Sequence, residues 1–375
     1  MPDASFSDSL DTKHNKRNLI FNYVYHKDTA SKPELAAAFG ISLPTIAQYI
    51  ADLQADGLIM ENGILDSTGG RKPVALSCNA KARGAIGLSL TPDHISAVIL
   101  DLKGNRIASD IRYIPFSLTA AYKESLGKII CDILVKASVS PDIILGVKIS
   151  VPAVVSADGQ SITYSHVFPG DLSCRDLCRD IPFPCSFCND ATAAGFAELW
   201  GSSSKNTAVY LSLSNTVGGA VIMDQKIYYG SNYRSGEFGH MSIDRDGIRC
   251  QCGQKGCLGC YCAATVLSSD YNSDLSLFFS ALDRHERHAQ VLWLDYLDHL
   301  ASAVQILRSI LDCDVIIGGF IGSYMEPYME DLRHIVSSRS PFHENASFVR
   351  SCRHKQYASN TGAALLLIMH FLETV

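Results

Sequence analysis

No stretch of the 375-residue chain approaches the roughly 20 consecutive apolar residues that a membrane helix needs. Nor does the segment Met1 to Thr12, acidic and Ser-rich, carry the basic and apolar regions of a secretory signal, so a cytoplasmic protein without membrane contact is expected. Basic charge is also lacking. The net charge is −6, so any nucleic-acid contact has to come from a local patch. Charged residues make up only 19% and apolar residues 47%, a balance that excludes disordered, collagen-like and coiled-coil chains. Cysteine, in contrast, is plentiful. Its 13 copies are odd in number and uneven in distribution, with Cys250, Cys252, Cys257, Cys260 and Cys262 close together. A reducing compartment disfavours disulfides, so the cluster reads as a metal site. The length predicts two or three domains.

The first part of the chain is patterned as helices. Leu19, Ile20, Tyr23 and Val24 give a helical spacing between Asn15 and His26. Ser31 and Glu34 form a capping-box pattern for a helix from Lys32 to Phe39 that stops at Gly40. Ser42 then caps a third helix with Ile46, Ile50 and Leu53 as its core stripe. A Gly in the turn and the small Ala36 at the crossing suit a helix-turn-helix. Leu58 to Leu65 reads as a hairpin with Asn62-Gly63 at its tip, which completes a winged helix-turn-helix over residues 13–66. The expected major-groove residues are Ser42, Thr45, Gln48 and Tyr49, on a helix that also presents Leu43 and Asp52 outward. Met1 to Gly84 holds nine Lys or Arg and nine Asp or Glu, so the region is neutral. The same pattern therefore also fits a small helical cap that binds nothing.

Residues 67–84 read as a basic, Gly-rich linker. Its Ser67-Thr68-Gly69-Gly70-Arg71-Lys72-Pro73 run fits either a plain tether or an arm whose Arg71 and Lys72 reach phosphates or a narrow minor groove. From Ala85 to Val375 the pattern is α/β. Strands are predicted at 85–90, 95–100, 143–151, 207–213, 218–223, 226–229 and 315–317, with helices at 117–138, 191–200, 290–311 and 361–375. Two copies of a strand–hairpin–strand unit followed by helices suggest a duplicated α/β domain with a ligand cleft between its lobes.

The most specific pattern is Gly236-Glu237-Phe238-Gly239-His240 followed by Cys250-Gln251-Cys252-Gly253-Gln254-Lys255-Gly256-Cys257. His240, Cys250, Cys252 and Cys257 suit a closed, structural Zn2+ site over residues 240–257, because four protein ligands leave no position for a catalytic water. The alternative is a set of buried cysteines. This motif resembles the zinc signature of the ROK family, which contains bacterial sugar kinases and sugar-responsive repressors. The winged helix with Gly-Gly-Arg-Lys-Pro is similar to the repressor branch, of the N-acetylglucosamine and xylose repressor type. The resemblance covers nearly the whole chain. It implies a duplicated actin/hexokinase-like (ribonuclease H-like) ROK domain over 85–375.

The resemblance also implies a sugar site. Cys188-Asn189-Asp190-Ala191 resembles the loop that carries the kinases' catalytic base, and Glu237 and His240 match residues that contact sugar hydroxyls. Asp190 equally fits a helix N-cap. His240 can serve both metal and sugar if one ring nitrogen takes each. Gly146 to Ala153 resembles the sugar-side Gly-x-x-x-Pro-Gly loop, with Ala153 for the last Gly. Two departures stand out. The kinases' Asp-x-Gly-Gly-Thr phosphate turn is replaced by Gly87-Leu88-Ser89-Leu90-Thr91-Pro92, which makes ATP phosphotransfer unexpected. The Gly-rich turns at 215–220 and 318–319 survive and read as tight turns. After Cys257, where sugar-binding members have Cys-x-Glu, this chain has Leu258-Gly259 and so lacks one sugar-binding carboxylate. The expected protein is thus a non-enzymatic DNA-binding regulator, a repressor of carbohydrate genes that acts on operator DNA as a homodimer or dimer of dimers. A small carbohydrate or sugar phosphate is its expected effector. The alternatives are a sugar kinase with an appended domain and a regulator that answers to a protein partner.

Overall fold

The computed structural model describes residues 4–64, 72–201, 207–224, 226–342 and 345–375, with side chains from residue 15 onward. Helix α1 (Ala4–Lys27) begins well before the predicted Asn15 and is followed by α2 (Lys32–Phe39) and α3 (Leu43–Ala55). The capping box forms: Ser31 Oγ accepts from the Glu34 amide, and the Glu34 carboxylate accepts from the Ser31 amide. Ile46, Ile50 and Leu53 are fully buried. Tyr49 corrects the expected reading face. It is only 6% exposed and packs in the same core, because α3 is covered by α1, α2 and the first wing strand together.

The wing also differs from expectation. Strand β1 (Ile59–Ile64) runs straight through Asn62-Gly63, and it pairs antiparallel with β2 (Val74–Cys78). The register shifts between Glu61 and Ile64, where Gly63 takes a φ of 82°. Asn-Gly is thus a bulge, and the hairpin's connection is residues 65–73. Leu76 of β2, opposite Glu61, is fully enclosed. The expected linker 67–84 is corrected accordingly, since β2 and a short turn at Ala80–Ala82 are built into the domain. Ser67 to Arg71 lie outside the described residues.

The first lobe contains β3 (Gly84–Leu90), β4 (Ile95–Asp101), β5 (Arg106–Arg112), α4 (Ala120–Ala137), β6 (Ile144–Val151), β7 (Val154–Val155), β8 (Ile162–Tyr164), α5 (Cys174–Leu177), β9 (Cys185–Asn189) and α6 (Asp190–Leu199). The second lobe holds β10 (Ala208–Leu213), β11 (Val217–Met223), β12 (Lys226–Tyr228), α7 (Gly259–Cys262), α8 (Ala264–Ser268), α9 (Leu275–Asp283), α10 (Arg287–Leu311), β13 (Asp314–Gly318), α11 (Gly319–Gly322), α12 (Met329–Arg339) and β14 (Val349–Ser351). Their sheets, ordered β5-β4-β3-β6-β9 and β12-β11-β10-β13-β14, repeat one plan: three antiparallel strands, then two added in parallel. This is the predicted duplication.

Helix α13 (Ala358–Thr374) returns to the first lobe and crosses α6 closely. A Cβ on Gly362 would lie 1.7 Å from the Ala193 carbonyl oxygen, so the crossing requires glycine. The other end of α13 supports the winged helix. Asn18 and Asn22 both donate to the Leu372 carbonyl, at 2.7 and 2.8 Å. Tyr25 donates to the Leu102 carbonyl at 3.0 Å, and Lys103 pairs with Asp28. One continuous core includes Phe21, Val24 and Leu76 of the winged helix with Leu100, Leu365 and Leu372 of the first lobe. The two parts are docked through a packed seam. None of the described helices is long and apolar enough to cross a membrane.

Candidate functional site

Between the lobes lies a cleft of about 450 Å3, and Asn189, Asp190, Glu237 and His240 all line it. Strand β9 delivers the first two to its mouth. Asn189 is the N-cap of α6: its Oδ1 accepts from the Thr192 amide at 2.8 Å, and its Nδ2 donates to the Ala153 carbonyl at 3.1 Å. The capping role expected of Asp190 therefore belongs to its neighbour. Asp190 is the first helical residue, and its Oδ1 accepts from the Ala191 amide at 2.8 Å. Burial pushes its carboxyl up to about 6, against the pull of the backbone amides and with the nearby Glu237 charge adding to the rise. A carboxyl so placed can accept a hydrogen bond from a hydroxyl that displaces water.

Glu237 and His240 come from the opposite lobe, on the short turn Phe238–His240. His240 Nδ1 lies 3.9 Å from Cys250 Sγ, and Cys252 Sγ lies 3.6 Å from Cys257 Sγ. The four potential ligand atoms are all within 4.8 Å of one another. Zinc–sulfur and zinc–nitrogen bonds of about 2.3 and 2.0 Å in a tetrahedron put ligand atoms roughly 3.5–3.8 Å apart, so the donor set fits that ion. Nδ1 is the ring nitrogen near the Cys250 thiol, and His240 also lines the cleft. Cys260 and Cys262 stand outside this group of four. The loop closes on itself through the Cys250 amide to the Gln254 carbonyl and the Gly253 amide to the Cys250 carbonyl.

Gly259 also lines the cleft, where the resemblance leads one to expect a carboxylate. Sequence patterning missed Tyr164, His166, Arg249 and Thr265, which share the wall. Tyr164 and His166 hold each other at 3.0 Å across a loop with no periodic signal. The far turns of the domain look inward. In the β3–β4 turn, Thr91 Oγ1 accepts from the amides of Asp93 and His94 at 3.4 and 3.1 Å. At 318–319, the Gly319 amide donates to the Tyr210 hydroxyl at 3.0 Å and the Phe320 amide to Ser214 Oγ at 3.3 Å.

In the winged helix, Ser42 caps α3 and is exposed, as are Thr45 and Gln48. Gln48 Nε2 donates to Asp52 at 2.8 Å. Leu43 is 51% exposed beside them, an apolar contact available to a thymine methyl. Lys72 is exposed at the foot of β2, and Arg71 lies outside the described residues.

Residues 85–370 match the sequence model described as the ROK family, and residues 15–60 match one described as winged helix-turn-helix DNA-binding. The chain belongs to the ROK family. It is 26% identical over 264 residues to the xylose repressor of Bacillus subtilis (strain 168), covering 70% of this chain and 69% of that one. It is 28% identical over 199 residues to an N-acetylmannosamine kinase of Vibrio cholerae, covering 51% of this chain and 68% of that enzyme. Among solved structures, a ROK family transcriptional regulator described as a homologue of the E. coli MLC protein superposes with a TM-score of 0.77. That match covers 96% of this chain and 99% of the other at 19% identity, a likeness of fold. A ROK hexokinase from Thermus thermophilus superposes with a TM-score of 0.65 over 77% of this chain and 99% of that one at 23% identity, again a likeness of fold.

Proposed function

We propose that this ROK protein is a DNA-binding, sugar-responsive transcriptional repressor whose kinase-like domain senses a carbohydrate without phosphorylating it. One observation carries the reading. A winged helix is packed against a lobe whose cleft gathers Asn189, Asp190, Glu237 and His240, while the β3–β4 turn and the turn at 318–319 spend the amides of Asp93, His94, Gly319 and Phe320 internally. Phosphate cradles need unspent backbone donors. The similarity to a xylose repressor supports the same choice. A structural Zn2+ held by His240, Cys250, Cys252 and Cys257 would fix the loop that carries the sugar-side histidine. A two-fold dimer in the cytoplasm would place two copies of α3 on a palindromic operator, with Ser42, Thr45 and Gln48 toward the major groove. Arg71 and Lys72, in or beside the wing's connecting segment, would reach the backbone or minor groove.

The seam supplies a route between the ends. Asp190 opens α6, α6 is crossed by α13, and α13 holds α1 through Leu372. Closure of the lobes on a sugar would tilt that assembly and change the spacing of the paired winged helices. Such coupling is typically worth about 1–3 kcal/mol, or 5–150-fold in DNA affinity, and it is reciprocal. The test is to recover operator fragments by genomic footprinting, then to measure sugar affinity by calorimetry with and without that DNA. The expected result is weaker sugar binding on the operator by the same factor by which sugar weakens DNA binding. Equal affinity in both states excludes the cleft as the switch.

A further inference from the structure

A second, smaller cavity of about 210 Å3 adjoins the cleft, and Val154, Asn189, Ser235 and Glu237 line both. It too lies between the lobes. The second lobe contributes Tyr229 and Tyr233, whose ring centroids are 5.5 Å apart at an interplanar angle of 40°. Both residues are 44% exposed and line the cavity, so they are not spent on a core. A tyrosine face beside a hydroxyl suits a ligand that is apolar on its flat side and polar at its rim, as a pyranose is.

The first lobe contributes Lys148, half-buried on β6. Its ammonium donates to Ser186 Oγ at 3.1 Å. No described carboxylate lies within ion-pair distance of it. Asp158 and Glu237 line the same cavity beyond that distance, and Asp158 Oδ1 is engaged by the Ser156 hydroxyl at 2.6 Å and the Gln160 amide at 3.0 Å. A cation partly withdrawn from water without a counter-ion is costly, and an anion delivered to it is bound by a charge-assisted hydrogen bond.

We propose that this cavity is a second subsite, which seats the acidic sugar unit of a disaccharide: its ring on Tyr229 and Tyr233, its carboxylate on Lys148, and its neutral partner unit in the main cleft. This rests on the sugar-sensing reading above. A ligand spanning both cavities would tie the two lobes together at more points than a monosaccharide can.

The experiment is calorimetry on the full chain with glucose, xylose, cellobiose, xylobiose, and the glucuronosyl derivatives of glucose and xylose. The expected order is a glucuronosyl disaccharide about tenfold or more tighter than its neutral counterpart, which in turn exceeds the monosaccharide. Lys148→Gln should erase the advantage of the acidic unit and leave monosaccharide affinity unchanged. Tyr233→Ala should weaken every disaccharide and spare the monosaccharides. If monosaccharides bind and the disaccharides gain nothing, the second subsite is overturned and sugar sensing stands. If Lys148→Gln weakens glucose or xylose as much as the acidic disaccharide, Lys148 is a structural residue and the proposal also fails. If none of the six sugars binds, both readings fall together.

Discussion

The two sides of the ROK domain both present short turns at the ends of buried strands, yet the donors and acceptors of those turns are left in different states. On the side proposed to take a sugar, Asn189, Asp190, Glu237 and His240 converge on open space, and only part of their hydrogen-bonding capacity is used by the protein. On the other side, Thr91 takes the amides of Asp93 and His94, while Tyr210 and Ser214 take those of Gly319 and Phe320. A glycine pattern shows that a backbone can approach a phosphate. Whether it binds one depends on whether its donors are spare.

The largest expected effect breaks the sugar side alone. Cys252→Ser should lose one bound Zn2+ per chain, lower the unfolding temperature by about 5 °C or more, and abolish sugar binding through the loop that carries His240. Metal analysis beside a thermal melt checks this, and full metal retention in the variant would move the fourth ligand elsewhere.

Next comes Asp190. Asp190→Ala should weaken sugar binding by about a hundredfold and leave DNA binding intact, giving a repressor that cannot be induced. Sugar hydroxyls donate to the ionised carboxylate, so affinity should fall as the pH drops below about 6. Calorimetry from pH 5 to 8 gives the profile, and a flat one would remove Asp190 from the contact. In the free protein the sign reverses. A folded-state pKa raised above the ordinary value of 3.8 means stability is lost as the pH climbs from there to about 6. Asp190→Asn should therefore melt slightly higher than the parent chain at pH 7.

A smaller effect should sharpen the contrast from within the sugar side. A Cβ at Gly259 would lie 3.3 Å from the Gly239 carbonyl oxygen, which needs only a slight adjustment. Gly259→Glu should then restore the missing carboxylate and gain about tenfold in hexose affinity. No gain would show that the effector has no hydroxyl in reach of that position. The smallest effect belongs to the other side. Tyr210→Phe should cost about 1 kcal/mol of stability by stranding the Gly319 amide. It should still fail to bind ATP in a thermal-shift titration, because Thr91 keeps the first turn closed. ATP binding by that variant would undo the comparison between the two sides.

Parts of this architecture were legible before any coordinates. The Ser31–Glu34 capping box, the Ile46, Ile50 and Leu53 stripe and the repeated strand–hairpin unit follow from local periodicity and caps. The wing was not, because Asn62-Gly63 fits a two-residue turn and a bulge equally, and only the partner strand Val74–Cys78 decides between them. Tyr49 misled for a related reason: a helix with three neighbours buries a wider stripe than a helix with one. Strands β5 and β9 escaped notice, β5 because its residues are mixed in polarity at the sheet edge and β9 because Cys185-Ser186-Phe187-Cys188-Asn189 holds a single large apolar residue.

The His and Cys cluster needed only sequence. His240 to Cys257 lie close along the chain, and one short loop can bring them together wherever it sits. The same holds for Asn189-Asp190, where a strand hands directly to a helix. Tertiary structure alone decided which amides are spare and how the winged helix is held. The Tyr210–Gly319 and Asn22–Leu372 hydrogen bonds join residues 109 and 350 positions apart. No local propensity encodes such pairs. They exist because neighbouring strands of the second lobe, and a returning helix against the winged helix, pack at close quarters, where each buried donor must find its acceptor.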